Sequence, residues 1–265
     1  MAFHTNTGRP RLDGLEVHVW IVQLLAGQSD CAKCLSWLSR DECLRASRFR
    51  FERDRQEFIL GHGILRGLLS YFEEKHPAQL QFSFGMKGKP ALRSPSTPTR
   101  FNMAHSGGLA VYAFTAGIDV GVDLERVRDV PQMEVDAARF FSREEGSDLF
   151  SLPPTERTLG FYRCWTRKEA YIKAVGDGLW VPLSSFRVAV RPDKQAALLS
   201  IGGDVKAAEN WHLHDLALIS GYVGALAYEG PLRALHTGPI ISAGELLDEE
   251  GFKKSARTSH EKLIN

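Results

Sequence analysis

The sequence predicts an α+β fold in which two similar α/β halves lie in one chain with a cleft between them. Two short segments, Leu38–Glu42 and Phe141–Glu145, resemble each other, and each leads into a capped helix. Each is followed by a longer helix, a turn and strands, so the order of elements occurs twice. A length of 265 residues suits one large domain or two small ones.

Hydrophobic periodicity and turn residues place the individual elements. Strands are predicted at 15–22, 101–104, 110–115, 119–124, 186–190 and 221–228, and helices at 38–49, 53–72, 132–140, 143–150 and 155–175. Ser142 is the predicted N-cap of one helix, and Gly176 follows the last residue of another. This order gives an N-terminal half at residues 1–117 and a C-terminal half at 118–232. Residues 233–265 lose periodicity, so we expect a loosely docked or mobile tail there.

Composition narrows the function classes. The chain has 33 Lys and Arg against 32 Asp and Glu, a formal charge of +1, which argues against a nucleic-acid-binding protein. No apolar run approaches the roughly 18 residues of a membrane span, and the N-terminus lacks a secretory pattern. The pair Cys31 and Cys34 has no second ligand pair nearby, so free thiols are favoured over zinc. We therefore expect a cytoplasmic protein with no membrane or nucleic-acid partner.

Two carboxylates lie close together on the predicted strand at 119–124. Asp123 and Glu125 are two residues apart, so an extended strand presents both on one side. Hard oxygen ligands of this kind suit Mg²⁺. The alternative is a surface strand end at which both acids are simply solvated.

A second stripe of functional groups occurs on the predicted helix at 155–175. Trp165, Glu169 and Lys173 recur every four residues and share one helical face. The alternative interpretation is an exposed Glu-to-Lys salt bridge, which is common on solvated helices. Arg167 lies off this face, and we expect it to tolerate alanine.

A third candidate is the His-Ser pair that ends the strand at 101–104. Ser106 directly follows His105, and the chain has no GxSxG elbow, so a serine-hydrolase arrangement is not indicated. His105 is instead a candidate phosphate contact or base.

Taken together, these segments resemble the bipartite signature of 4′-phosphopantetheinyl transferases. The acidic strand segment Val120–Glu125 is followed, 41 residues after Asp123, by Trp165-Thr-Arg-Lys-Glu-Ala and then Lys173. Two motifs at a fixed spacing are far more specific than either alone.

The upstream segments Phe101–Ser106 and Gly88–Pro90 are similar to those of the family's larger, monomeric, surfactin-synthetase-activating type. The resemblance spans about residues 38–190. That type is pseudo-dimeric, which agrees with two halves in one chain and an active site in the cleft between them. One departure is Ala104, which stands where the family often has a serine, so one phosphate contact is missing.

The resemblance implies a role for each matched residue. The implied magnesium ligands are Asp123, Glu125 and Glu169, and the implied catalytic residues are Glu169, Lys173 and Asp123. The implied coenzyme A contacts are Arg45, Lys89, Pro90, His105, Lys168 and Lys173. Glu145 matches a further acid near the site, and Arg66 is a weaker match to a coenzyme A contact.

The implied reaction is Mg²⁺-dependent transfer of 4′-phosphopantetheine from coenzyme A to a serine hydroxyl of an acyl or peptidyl carrier protein, releasing adenosine 3′,5′-bisphosphate. Charge neutralisation and positioning dominate such phosphoryl transfers. Glu169, directly or through water, is the nearest candidate base. Two alternatives stay open: a Mg²⁺-dependent nucleotide phosphohydrolase, and a non-catalytic module that binds coenzyme A or carrier proteins. Because both halves lie in one chain, a monomer is expected.

Overall fold

The N-terminal half is a helical layer packed on a sheet. The computed structural model describes residues 12–85, 88–93, 97–176 and 181–248. The elements of this half are β1 (Glu16–Gln23), α1 (Gln28–Trp37), α2 (Arg40–Ala46), α3 (Glu52–Glu73), β2 (Phe82–Phe84), β3 (Pro90–Leu92), β4 (Thr99–Ser106) and β5 (Leu109–Ala116). Apolar side chains of α1, α3, β1 and β5 form one core, centred on Trp20, Ile64 and Phe114.

The C-terminal half repeats this order of elements. Its elements are β6 (Val120–Arg126), α4 (Met133–Phe140), α5 (Arg143–Ser151), α6 (Pro154–Val175), β7 (Phe186–Val188), β8 (Leu198–Ile201), β9 (Trp211–Asp215) and β10 (Tyr222–Glu229). A separate core includes Phe161, Ile172 and Ala225. The long helices α3 and α6 have 22 residues each and begin and end close to their predicted bounds.

The strand order makes the repeat explicit. The first sheet contains β1, β5 and β4 as antiparallel neighbours, and the second contains β6, β10 and β9 in the same relation. The predicted α+β fold with two similar halves is therefore confirmed. The strands β2 and β3, and β7 and β8, form a small hairpin-like ladder in each half.

Helix ends follow the local chemistry of their residues. Ser39 and Ser142 each accept a hydrogen bond from the backbone N–H of the third helical residue, and the carboxylates of Glu42 and Glu145 each accept one from the serine amide. These two capping boxes satisfy N–H groups that have no partner inside a helix. Gly176 ends α6 with φ of 78°, a left-handed conformation that glycine adopts without strain. The predicted caps at Ser142 and Gly176 are thus confirmed.

The segment after residue 233 differs from the expected tail. Residues Ala234–Ser242 form β11, which pairs in parallel with β1 and extends the first sheet. Ala243–Leu247 form α7, whose Ala243, Leu246 and Leu247 are buried in the N-terminal core. The prediction of a loosely docked or mobile segment was wrong for residues 234–247, because alternating apolar residues there bury against β1 and α1. The rest of the predicted tail, 249–265, lies outside the described residues.

The two halves meet along β4 and β6. The side-chain Oδ1 of Asn102 on β4 accepts a hydrogen bond of 2.9 Å from the backbone N–H of Val122 on β6. A third apolar cluster joins both sheets and contains Val19, Val111, Val122 and Leu226. Burying side chains of this size stabilises by about 1.5–3 kcal/mol each, so the halves are fixed relative to each other by a shared core.

Two further observations bear on the sequence-based exclusions. No helix among the described residues is long and apolar enough to cross a membrane. Cys31 and Cys34 both lie on α1, and burial raises the pKa of the Cys34 thiol to about 12. A thiol with such a pKa is protonated at neutral pH and is a poor nucleophile.

Candidate active site

The predicted acids lie on two elements that pack directly on each other. Asp123 and Glu125 are on β6, and Glu169 lies on α6. Gly121 permits this close packing, because a Cβ atom there would overlap the carbonyl oxygen of Ala170 on the helix. A glycine at this strand position therefore lets the helix bring Glu169 to the strand that bears the other two acids.

Asp123 is the most buried of the three acids. Its Oδ1 lies 2.6 Å from the Nζ of Lys173, which is itself partly exposed. Its Oδ2 is buried and has no hydrogen-bond partner among the described residues. A buried carboxylate oxygen without a partner costs free energy, so this atom is available to a ligand that carries positive charge.

The other two acids are held in an environment that disfavours their ionisation. Burial raises the pKa of Glu125, Asp123 raises it further, and a hydrogen bond from Ser106 opposes the shift. Burial also raises the pKa of Glu169, and Asp123 and Glu125 add to this effect while Lys173 opposes it. Glu125 therefore senses the charge of Asp123, and Glu169 senses the charges of both Asp123 and Glu125, as expected for carboxylates close to one another.

These observations fit a divalent cation. The donors are all carboxylate oxygens, the ligands that Mg²⁺ prefers, and one of them is buried without a partner. Within the described part of the chain, no three His, Cys, Asp or Glu groups stand at metal-ligand spacing. The Lys173 ammonium already pairs with Asp123 Oδ1 at 2.6 Å. A cation would have to draw the three carboxylates together.

The N-terminal half presents positively charged or ionisable groups at the same junction. His105 is near the end of β4, and its pKa is lowered by partial desolvation and by Lys173, while Glu57 opposes the shift. Arg45 is exposed and lies over the Phe58 ring, 5.2 Å from its centroid. The influence of Lys173 on the pKa of His105 indicates that these two side chains, one from each half, lie near the same boundary.

Lys89 and Pro90 lie farther along this boundary. The Nζ of Lys89 donates a 2.9 Å hydrogen bond to the carbonyl oxygen of Ala174 and lies 3.4 Å from Asp119. Burial lowers the pKa of Lys89, and Asp119 opposes that shift. Pro90 is half-buried at the start of β3. Lys89 thus joins the N-terminal half to the C-terminal end of α6.

Lys168 does not face the cleft, contrary to the expectation that it contacts coenzyme A phosphates. It is fully buried, 2.8 Å from Glu145, and donates to the carbonyl oxygens of Leu183 and Phe186 at 2.8 and 2.6 Å. Glu145 is equally buried and accepts a hydrogen bond from the amide of Val188. Both side chains hold α5, α6 and β7 together, because α6 turns this face toward its own core.

Arg66 and Arg167 are structural in the same way. Arg66 is buried, ion-paired to Glu42 at 2.7 Å, and donates to backbone carbonyls. Arg167 is buried and makes a two-pronged ion pair with Asp215, with a further bond to the carbonyl of Ala189. The weaker match of Arg66 to a coenzyme A contact and the expected tolerance of Arg167 to alanine were therefore wrong. From Gly160 to its end at Val175, α6 has no exposed residue.

The structure also brings in Ser106, which the sequence analysis considered only as a nucleophile and rejected in that role. The Oγ of Ser106 on β4 donates a 2.9 Å hydrogen bond to Glu125 Oε2 and accepts one of 3.2 Å from the amide of Arg126. No sequence pattern reveals this contact, because it joins two strands of different halves.

Comparison with known proteins agrees with this architecture. Residues 26–116 match the family model described as "4'-phosphopantetheinyl transferase, N-terminal", and residues 119–227 match the 4′-phosphopantetheinyl transferase superfamily. The 4′-phosphopantetheinyl transferase HetI of Nostoc sp. is 36% identical over 217 residues, covering 81% of this chain and 88% of that protein.

A second relative, the 4′-phosphopantetheinyl transferase Sfp of Bacillus subtilis, is 33% identical over 172 residues, covering 64% of this chain and 75% of that protein. The structure described as a Chronobacterium ammoniagenes ACPS–CoA complex aligns with a TM-score of 0.31 and 21% identity over 43% of this chain and 97% of that one, a likeness too low to carry an argument. The chain belongs to the 4′-phosphopantetheinyl transferase family. It is a transferase of the two-half, Sfp-like type.

Proposed function

We propose that the boundary between β4 and the pair β6 and α6 is the active site of this transferase. The enzyme transfers the 4′-phosphopantetheine group of coenzyme A to a serine hydroxyl of a carrier protein. The observation that supports this location is the partnerless Oδ2 of Asp123, which lies beside two further acids and opposite His105. Acids in one half and cationic groups in the other suit a substrate that carries several phosphates.

In this proposal Asp123, Glu125 and Glu169 hold Mg²⁺. When bound, the cation neutralises charge on the pyrophosphate oxygens and fixes their position. Burial, and then the negative charge of Asp123, raise the pKa of Glu125 and Glu169, so a cation bound there would favour their ionised forms. Lys173 orients Asp123 through their 2.6 Å ion pair and adds positive charge on the same side.

The remaining residues bind the substrate and move one proton. Arg45, His105 and Lys89 contact coenzyme A from the N-terminal half, with Pro90 shaping the same edge, and Lys173 does so from the C-terminal half. The serine oxygen forms a bond to the β-phosphorus, the bond to the adenosine 3′,5′-bisphosphate oxygen breaks, and the serine proton passes to Glu169 or to a water it holds. Glu169 is the nearest candidate base in this set, directly or through water. Lys168 has no part in these contacts because it is fully buried.

The same proposal names the binding partners, the cellular location and the oligomeric state. We propose that the partners are coenzyme A and acyl or peptidyl carrier proteins, and that the enzyme acts as a cytoplasmic monomer without a nucleic-acid or membrane partner. The two matched halves supply the acids and the cationic groups within one chain, so a second copy is not needed to complete the site.

The decisive test is incubation with coenzyme A, Mg²⁺ and a panel of apo carrier proteins. Mass spectrometry of the carrier should show one added phosphopantetheine group, and omission of Mg²⁺ with a chelator present should abolish it. Hydrolysis of coenzyme A without carrier modification would favour a phosphohydrolase. Coenzyme A binding without turnover would favour a non-catalytic module.

A further inference from the structure

Among the described residues, Ser106 is the one side chain of the N-terminal half that forms a hydrogen bond with any of the three acids. Its Oγ lies 2.9 Å from Oε2 of Glu125, which belongs to the C-terminal half. Asp123 is held by Lys173 of its own half, and no hydrogen bond to Glu169 is seen in the described structure. Ser106 therefore holds an acid from across the boundary.

The direction of this hydrogen bond follows from the chemistry of its partners. An ionised carboxylate can only accept, so the Ser106 hydroxyl proton points toward Glu125. A lone pair of the same Oγ accepts a 3.2 Å hydrogen bond from the amide of Arg126, the residue after Glu125. A glutamate near a strand end has several accessible rotamers, and a donor with a fixed direction restricts them. The other carboxylate oxygen, Oε1, is left for a cation.

The surroundings of Ser106 make it a rigid support. The next residue, Gly107, has φ of 56°, and a Cβ atom there would lie 2.6 Å from Arg126 Cδ. The Tyr222 hydroxyl on β10 donates to the carbonyl oxygen of Gly107. Together with the contact of Asn102 to Val122, these bonds fasten β4 and the turn after it to β6 and β10 of the C-terminal half.

We infer that Ser106 is a positioning residue, which orients the Glu125 carboxylate for the divalent cation and so couples the placement of the N-terminal half to cation binding in the C-terminal half. The inference rests on the proposed function, in which Glu125 is a magnesium ligand. Hydrogen-bond partners of metal-ligating carboxylates contribute about 10–100-fold in metal affinity or activity.

The test compares Ser106→Ala with Ser106→Thr, which keeps the hydroxyl and has a side chain suited to a strand. Ser36→Ala, an exposed serine on α1 that bonds only its own helix, is the matched control. Mn²⁺ binding to each full-length protein is measured by electron paramagnetic resonance in the absence of coenzyme A. The Mg²⁺ concentration for half-maximal activity and the unfolding midpoint without metal are measured in parallel.

The expected result is that Ser106→Ala binds Mn²⁺ about tenfold more weakly and needs correspondingly more Mg²⁺, while kcat at saturating Mg²⁺ changes less than about threefold. Ser106→Thr should restore binding, and Ser36→Ala should match the wild type. Equal Mn²⁺ affinity in Ser106→Ala and wild type would overturn the inference, as would a threonine variant no better than alanine. A wild-type enzyme that binds no Mn²⁺ and transfers without divalent cation would instead overturn the proposed magnesium site.

Discussion

Glu42 and Arg66 occupy in the N-terminal half the places that Glu145 and Lys168 occupy in the C-terminal half. Both acids close a capping box, and both bases come from the long helix that follows. Arg66 donates to the carbonyls of residues 77 and 80, and Lys168 to those of residues 183 and 186. Each base also lies over a phenylalanine ring, at 4.8 and 4.2 Å. Each half therefore contains an equivalent buried ion pair, which joins its helices to the turn and strand that follow.

The residues near this repeated ion pair differ between the halves. One position after the buried base, α3 has Gly67 and α6 has Glu169; five positions after it, α3 has Tyr71 and α6 has Lys173. The strands differ as well, because β1 pairs with β11, whereas β6 contacts β4 of the other half through the Asn102 side chain. The comparison teaches that the repeated ion pair maintains the fold of both halves, while Glu169 and Lys173, which we propose for the chemistry, occur in only one half.

Replacing Glu169 should have the largest effect on activity, because α3 has glycine at the equivalent position and cannot supply this carboxylate. Glu169→Gln keeps the shape but removes charge and basicity. Losing general-base assistance costs about 10²–10⁴-fold in rate, and a weaker metal site adds to it. Steady-state kcat at saturating Mg²⁺ measures the loss. Glu156→Gln, exposed near the start of the same helix, is the control, and a kcat of Glu169→Gln within about threefold of wild type would remove Glu169 from the mechanism.

Breaking the repeated ion pair tests whether it is equivalent in the two halves. Arg66→Met and Lys168→Met each leave a buried carboxylate without its partner, which costs about 3–5 kcal/mol of unfolding free energy. Urea unfolding measures both. Arg53→Met, which removes an exposed ion pair, should cost less than about 1 kcal/mol.

A contrary outcome is well defined for this pair of variants. If Lys168→Met unfolds like the wild type but raises the KM for coenzyme A, Lys168 is a substrate contact after all. Lys168 would then differ in role from Arg66, its counterpart in the N-terminal half.

Weakening α7 tests the segment that has no counterpart in the repeat. Leu246 is fully buried in the N-terminal core, so Leu246→Ala should cost about 2–4 kcal/mol through lost burial and a cavity. The midpoint of chemical unfolding measures this cost. Leu232→Ala, whose side chain is exposed, should shift it by less than about 0.5 kcal/mol. Equal effects of the two changes would mean that α7 adds nothing to the N-terminal core.

The smallest expected effect is a pH-dependent stabilisation by Mg²⁺. The pKa values of Glu125 and Glu169 are raised, so these groups favour the folded protein when protonated, and that contribution is lost as pH rises through the raised values. Mg²⁺ displaces these protons, so its stabilising effect should grow as pH rises and fade as pH falls. At about 100 times its Kd the ion adds about 2.7 kcal/mol.

Thermal unfolding with and without Mg²⁺, between pH 5 and 8 at constant ionic strength, measures this dependence. Asp123→Asn should show little response to Mg²⁺ at any pH. A stabilisation that is equal at both ends of the pH range would argue against cation binding by these carboxylates.

The sequence by itself determined the elements whose signals are local. The capping boxes begin at Ser39 and Ser142, the long apolar periodicity gives α3 and α6, and the spacing of Asp123 and Glu125 places both on one side of a strand. Each of these depends on residues within a few positions of one another, so the pattern along the chain is sufficient. The resemblance to the family's two-part motif added the prediction that Glu169, on a different element, joins these two acids.

Only the tertiary structure decided which charged side chains are buried and what covers β1. Lys168 and Lys173 belong to one short motif, yet the first is enclosed by carbonyls 15 and 18 residues away while the second reaches Asp123. The strand β11 pairs with β1 across more than 200 residues, and Ser106 meets Glu125 across the boundary between the halves. Such contacts form only when distant segments pack, because burial depends on the neighbours in space and not on those along the chain.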